Sequence, residues 1–290
     1  MNVPLSHFHT WEHFSRKELQ DVLFSFAAHG LRFLSLDGGT GVRLSEDPGY
    51  GNFLQRECRK SGVSILNCHA PHMPEWEINL PDPMVLKRHL RLLDFYAELG
   101  CETVTVHAGT NDSGEPLATL RDRTCRSLEA LIRRAGELRM VIVLENTIFP
   151  TDTPEELLGY MARFRCESFG FCFDAGHANL MDGFPGKRSA DMVDWIARRW
   201  DGNIRFETDT LGQLLPDVVT CHLHDNDGFD DQHKLPGEGS IDWPRLLDRL
   251  EQAPRLRSFQ NESEHLKYRV SVLRIAACFR ELLAKSAVAV

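Results

Sequence analysis

Between Asp217 and Trp243 the chain reads DVVTCHLHDNDGFDDQHKLPGEGSIDW. An apolar pair, Val218-Val219, leads into His222, His224, Asp225, Asp227, Asp230, Asp231 and His233 within twelve positions, and Gly237-Glu238-Gly239 follows. An Asp-rich loop with one or two core histidines is the plain reading. An apolar strand that ends in alternating His and Asp supports a sharper one, because imidazole and carboxylate are the donors that hold Zn²⁺, Mn²⁺ or Fe²⁺. Asp231 and His233 have the one-residue gap that puts two side chains on one side of an extended segment. His222 and His224 share one strand face, and His222 is the preferred ligand because His224 has the more loop-like position. Gly237 and Gly239 permit a tight turn that brings backbone close to a ligand.

Positioning such groups requires strands, and a unit of short apolar strand, polar tip and amphipathic helix recurs along the chain. Strands are expected at 2–8, 31–36, 63–68, 103–106, 140–144, 169–173, from 218 and at 257–260. The tip after the first is His9-Thr10-Trp11-Glu12. Asp37-Gly38-Gly39 is read as a turn after the second. Helices are expected from the Ser15/Glu18 capping box to 28, over about 51–60, from Asp82-Pro83 to 99, over 116–138, from Thr153-Pro154, over 190–200, from Asp242-Trp243-Pro244 to about 250, and over 266–285. Residues 201–216 are less regular. Eight strand–helix alternations predict a parallel sheet, since parallel strands need crossovers, and in 290 residues they predict a closed (β/α)₈ TIM barrel forming one domain over 1–290. A doubly wound sheet is the runner-up, but no GxGxxG follows the first strand.

In a barrel the C-terminal strand ends converge on one mouth. Those ends supply His69, His107, Glu145, Asp174, His177, His222 and Glu262, and the loop after strand seven adds Asp231 and His233. Each alone is ambiguous: a His can be structural, and a carboxylate can cap the next helix. Six consecutive strands ending in such residues are harder to explain that way. Glu145 ends the apolar run Val141-Ile142-Val143-Leu144, where a carboxylate is costly to desolvate without a cation. Asp174 and His177 are three apart at a strand-to-loop turn, spaced to hold one ion or bridge two.

Composition narrows the setting. No stretch reaches the ~18 apolar residues of a membrane helix. The N-terminus lacks a basic start followed by an apolar core, so no secretory leader is expected. Eight cysteines without a CxxC pair fit reduced thiols in the cytoplasm better than a disulfide framework. A net charge of −9 argues mildly against a broad nucleic-acid footprint, although a local basic strip or bound metal could offset it.

CHAPH (68–72), VHAG (106–109), LEN (144–146), DAGH (174–177), HLHD (222–225), DQHKLPGEGSIDW (231–243) and Glu262 resemble the xylose-isomerase-like barrel superfamily of sugar isomerases and epimerases, inosose dehydratases and endonuclease IV-like enzymes. The resemblance implies a core metal site at Glu145, Asp174, His222 and Glu262. The trinuclear zinc site of the endonuclease members would add His69, His107, His177, Asp231 and His233, and all nine positions are present. The DNA-gripping segments depart from that family: LSHFHTWE at the start, DGGTGVRLSEDPGYG after strand two, and His72-Met73-Pro74 where a wedge is usual.

The expected function is therefore a divalent-metal-dependent isomerase or epimerase of a small sugar or polyol, using one to three ions of Zn, Mn, Co or Mg. The metal would stabilise an enediolate, with Glu145 and Glu262 moving the proton. His177 would orient a substrate hydroxyl, His224 is a further candidate near the metal, and Trp11 and Trp76 could wall the pocket. A zinc phosphodiesterase acting on abasic DNA, a keto-polyol dehydratase and a non-catalytic sugar-binding barrel are the alternatives. Homo-oligomers are common in such barrels.

Overall fold

Short runs rich in β-branched and aromatic residues form the strands, and each is buried on both faces, as parallel strands between helices must be. The computed structural model describes residues 3–9, 14–183 and 194–284. The strands are β1 (Leu5–His9), β2 (Phe33–Leu36), β3 (Ser64–His69), β4 (Thr103–Val106), β5 (Val141–Glu145), β6 (Phe169–Asp174), β7 (Val218–Leu223) and β8 (Ser258–Asn261). Each pairs in parallel with the next, and β8 returns to β1 through Leu5↔Phe259 and His7↔Asn261, so the sheet closes in chain order. The expected (β/α)₈ barrel is the observed fold.

Eleven helices are described: α1 (Arg16–Ala28), α2 (Gly38–Glu46), α3 (Pro48–Ser61), α4 (Pro83–Leu99), α5 (Leu117–Glu137), α6 (Pro154–Phe164), α7 (Ala175–Met181), α8 (Asp194–Arg199), α9 (Thr210–Leu214), α10 (Trp243–Leu250) and α11 (Val272–Leu283). The Ser15/Glu18 capping box starts α1, and Gly100 in a left-handed conformation ends α4. None of the described helices is long and apolar enough to cross a membrane. All eight cysteines are free thiols, and Cys166 alone is exposed.

Three local expectations need correction. Asp37-Gly38-Gly39 is not a free turn: Asp37 caps α2, accepting the Thr40 N–H at 2.9 Å. DAGH does not run from strand into loop: Asp174 caps α7, accepting the His177 N–H at 2.6 Å. The last helix starts at Val272, where Ser271 caps it, rather than at 266. Residues 190–193 of the expected sixth helix lie outside the described residues.

The barrel's interior is unusually polar. Ser6 Oγ donates to Asn67 Oδ1 at 2.6 Å, and Asn67 Nδ2 donates to Thr103 Oγ1 and Ser258 Oγ at 2.7 and 2.9 Å. Ser35 Oγ donates to Gln260 Oε1 at 2.7 Å, and Gln260 Nε2 donates to Thr220 Oγ1 at 3.0 Å. These groups are buried and bonded to one another, as buried polar groups must be. The apolar core lies chiefly outside the sheet, under the helices, with Leu23, Phe26, Leu34, Phe171, Phe259 and Phe279 fully covered. His7 points into that outer layer, edge-on to Phe26 and Phe279.

Candidate metal centre

The strand ends bring their polar residues together at one mouth. His222 Nδ1 lies 3.0 Å from Glu262 Oε2, 3.4 Å from Glu145 Oε2 and 3.5 Å from Asp174 Oδ2. Donors bound at about 2.1 Å to one ion, at tetrahedral or octahedral angles, stand about 3.0–3.4 Å apart. The four groups expected as the core ligand set therefore have the spacing of donors around a shared centre. Asp174 and His222 are fully buried and Glu145 nearly so, whereas the Glu262 side chain keeps 18% of its surface.

Further donors surround this set. His69 Nε2 and His107 Nε2 lie 3.1 and 3.3 Å from Glu145 Oε2. His177 Nδ1 lies 3.2 Å from Glu145 Oε1, and its Nε2 lies 3.4 Å from Asp231 Oδ2. His233 Nε2 lies 3.2 Å from the same Asp231 oxygen. His69–His107–Glu145 and His177–Asp231–His233 thus form two more potential metal-holding groups beside the core four.

Backbone carbonyls orient several of these rings. Ala70, Asn146 and Glu262 carbonyls meet Nδ1 of His69, His177 and His233 at 2.7, 3.1 and 3.0 Å, which directs each Nε2 toward the cluster. Asp152, fully buried, accepts the Ala108 N–H at 2.9 Å and the Thr147 hydroxyl at 2.8 Å. It thereby ties the turn carrying His107 to the turn following Glu145. Burial pushes its carboxyl up to about 7.

Asp225, next to His224, holds the loop after β7. Its carboxylate accepts N–H groups from Asn226 (2.9 Å), Gly237 (2.8 Å) and Ile241 (3.3 Å), and from the Trp243 indole (2.8 Å). Gly237 has φ +88°, and a Cβ on Gly239 would overlap the Asn226 carbonyl and the Asp225 carboxylate. The close approach these glycines permit is thus to Asp225.

The geometry adds to or revises expectation in four places. His224 lies just past β7, as expected, yet is fully buried: its Nε2 lies 3.1 Å from both Asp174 oxygens, and its ring stacks on His233 at 3.8 Å. Asp231 and His233 do not lie on an extended segment. His233 has φ +50°, and this left-handed turn brings its ring over Asp231. His177, expected as a further metal ligand or to orient a substrate hydroxyl, has its Nδ1 beside Glu145 and its Nε2 beside Asp231. Trp76 is 4% exposed and packed in the core, with the Arg88 guanidinium over its ring and His89 at its edge. Trp11 lies outside the described residues.

Several residues escaped the sequence reading. Phe8 sits edge-on to His222 at 5.3 Å, and His72 stands 4.9 Å from both His69 and His107. His72 is the second histidine of CHAPH, and strand alternation could have pointed to Phe8. Both line a cavity of about 420 Å³ that Glu262, His69 and His233 also border, along with Ser263 and Lys267. That volume suits a small molecule. Larger hollows of about 510 and 670 Å³ on the outer surface carry none of the cluster.

The electrostatics fit a cation. Burial opposes ionisation of Glu145, but His222 and His107 outweigh it and hold the carboxyl well below the usual range. Asp174 is likewise depressed against burial, by His177 and His224. Burial works against a charged His222 and His233, yet Cys172 and Glu262 raise the first, and Asp231 raises the second to about 10. The cluster thus balances its carboxylates with protons that a divalent ion would displace. Even so, His107 Nε2, His222 Nδ1, Asp231 Oδ1 and Glu262 Oε2 are buried without a hydrogen bond. Such orphans are costly unless another partner, such as a metal ion, takes them up.

A closed parallel barrel with carboxylates and histidines gathered at its C-terminal mouth is a TIM barrel carrying a candidate metal centre. The model of the xylose isomerase-like TIM barrel family matches residues 13–257, and the chain belongs to that family. The MJ1311 protein of Methanocaldococcus jannaschii is 27% identical over 163 residues, covering 53% of this chain and 48% of that one. The chain spans about half the length of the curated relatives it matches. Among solved structures, a D-tagatose 3-epimerase-like protein superposes with TM-score 0.71 at 19% identity over 97% of both chains. The 3-keto-D-glucoside 4-epimerase YcjR of E. coli gives 0.66 at 16% over 98% of both, and IolI with a bound zinc atom gives 0.69 at 15% over 97% of both. At these identities the likeness is one of fold.

Proposed function

We propose that the chain is a divalent-metal-dependent isomerase or epimerase of a small, uncharged sugar or polyol. One observation carries this reading: Glu145, Asp174, His222 and Glu262 bring their donor atoms within 4.8 Å of one another, and Glu262 also borders the cavity. The sugar epimerases and the zinc-bound barrel among the similar structures support it. Lys267, the one lysine or arginine among the described residues lining the cavity, is paired with Glu264, which suits an uncharged substrate.

A divalent ion bound by the four groups supplies Lewis-acid stabilisation of charge developing on adjacent substrate oxygens. Glu262 is the carboxylate with access to substrate and takes the α-proton. The oxygens of Glu145 face His69, His107, His177 and His222, so this residue serves better as a shared carboxylate than as the second proton carrier. A single carboxylate returning the proton to the same face suits aldose–ketose interconversion. Phe8 offers its ring to the apolar face of a sugar.

The test is a panel of aldoses and ketoses with protein loaded in turn with Mn²⁺, Co²⁺ and Zn²⁺, read by NMR for product and for deuterium entering at the α-carbon. Glu262→Gln should abolish deuterium entry. An unchanged panel with every metal would remove the reading, and stabilisation by a sugar without product would indicate a binding barrel.

A second reading, a zinc phosphodiesterase, draws on one feature: Glu145 stands between His69–His107 and the core set, with His177–Asp231–His233 alongside. It expects about three zinc ions per chain and cleavage of an abasic duplex. One ion and no cleavage would exclude it.

A further inference from the structure

Beneath the ring of ligands lies a group that the site described so far leaves unused. Alternation along β6 puts Cys172 on the same inward face as Asp174. It is fully buried, and its strand position pairs with Glu145 on one side and Thr220 on the other. Val141, Val143 and Val219 pack against it, yet its thiol also lies beside His222. Donor atoms of Glu145, Cys172 and His222 all lie within 4.8 Å of one another. This second donor set shares Glu145 and His222 with the first, and His222 Nδ1 is buried without a hydrogen bond.

The two sets differ in softness. The upper set offers three carboxylates and one imidazole, which suit Mg²⁺ and Mn²⁺ as well as Zn²⁺. The lower set replaces two carboxylates with sulfur, which selects borderline and soft ions. We propose that Cys172 is a further metal-ligating residue, drawn on by thiophilic ions such as Zn²⁺, Co²⁺ and Cd²⁺, so that the centre favours them over Mg²⁺ and Mn²⁺. On loading, the S–H bond breaks, a sulfur lone pair forms the bond to the ion, and the proton leaves to solvent. The proposal rests on the reading that the mouth of the barrel holds a metal ion.

The experiment titrates Co²⁺ into the intact protein and into Cys172→Ser, both carrying Cys166→Ser to remove the exposed thiol. The expected result is a sulfur-to-cobalt charge-transfer band in the first protein and its loss in the second. Cobalt should still bind the second, and its preference for Zn²⁺ over Mg²⁺ should fall at least about tenfold. If Cys172→Ser does not fold, cadmium NMR of the Cys166→Ser protein reads sulfur ligation directly. Cobalt or cadmium bound without any sulfur signature overturns this proposal and leaves the four-ligand centre standing. Failure to bind either ion overturns both.

Discussion

Gly176 offers the most demanding check on the packing of the site. It is the second residue of α7, and a Cβ built there would lie 1.9 Å from His224 Cε1 and 2.5 Å from its Nδ1. Non-bonded carbons sit about 3.5–4.0 Å apart, so Gly176→Ala must drive the ring back by about 1.5 Å or more. The ring has nowhere to go. The ring is stacked on His233 at 3.8 Å and 5°, and its Nε2 is held by both Asp174 oxygens. Overpacking costs about 1–3 kcal/mol, and loss of a charged hydrogen bond about 1.5–3 kcal/mol. Alanine's better helix propensity returns about 1 kcal/mol. The net expectation is a loss of about 1.5–5 kcal/mol, a fall in Tm of about 3–20 °C, and weaker metal binding through the displaced Asp174 and His233. Thermal melts and chelator competition measure both effects. His224→Ala removes the obstructing ring, so in that background the same Gly176→Ala change should become stabilising by about 1 kcal/mol. If Gly176→Ala keeps the native Tm, or if the sign does not reverse once His224 is gone, the described packing is wrong.

Three other outcomes are expected. Burial holds His7 down to about 3 from an ordinary 6.5, so it is neutral in the fold while the unfolded chain takes up a proton below 6.5. Its contribution is present above pH 6.5 and falls by at most about 1.4 kcal/mol per pH unit down to about pH 3. Urea unfolding from pH 7 to 4 should show His7→Gln gaining on the wild type as pH drops, and parallel curves would refute this. Asp225→Ala strands the donors of Asn226, Gly237, Ile241 and Trp243 and should cost on the order of 3 kcal/mol, with hydrogen exchange accelerated over residues 226–241. Chelator treatment should lower the Tm, and metal at about a hundred times its Kd should restore about 2.7 kcal/mol; a Tm indifferent to both would count against the centre.

The barrel was legible because each apolar run stops at a His, Asp or Glu, and only closure makes those stops meet. What escaped notice has physical causes. Gly38-Gly39-Thr40-Gly41 looks like a turn, yet it forms α2 because its glycines admit close neighbours. A Cβ on Gly41 would lie 2.4 Å from the Tyr96 hydroxyl and 3.0 Å from Pro71, so tertiary packing overrides propensity. Alternation rightly put His222 and His224 on one face. His224 lies past the end of β7, as its more loop-like position implied, yet the Asp225–Lys234 bridge beside it keeps it inside. The Asp231–His233 pairing was found by a rule for extended chain, and the pair meets through a left-handed residue that the rule does not describe. Which histidine nitrogen faces which carboxylate depends on carbonyls far along the chain, such as Asn146 O for His177, and no local pattern encodes that.

The hydrogen-bonded lumen beneath the centre has its own implication for rigidity. Oily side chains fill space but slide over one another with little resistance, whereas N–H and O–H donors insist on direction. The Ser6–Asn67–Ser258 and Ser35–Gln260 links therefore act as cross-braces between non-adjacent staves, locking their rotation and axial slip. A leucine of similar bulk in place of Asn67 would keep the lumen full while freeing that motion, and the donors above would lose their common focus before the cylinder lost its shape.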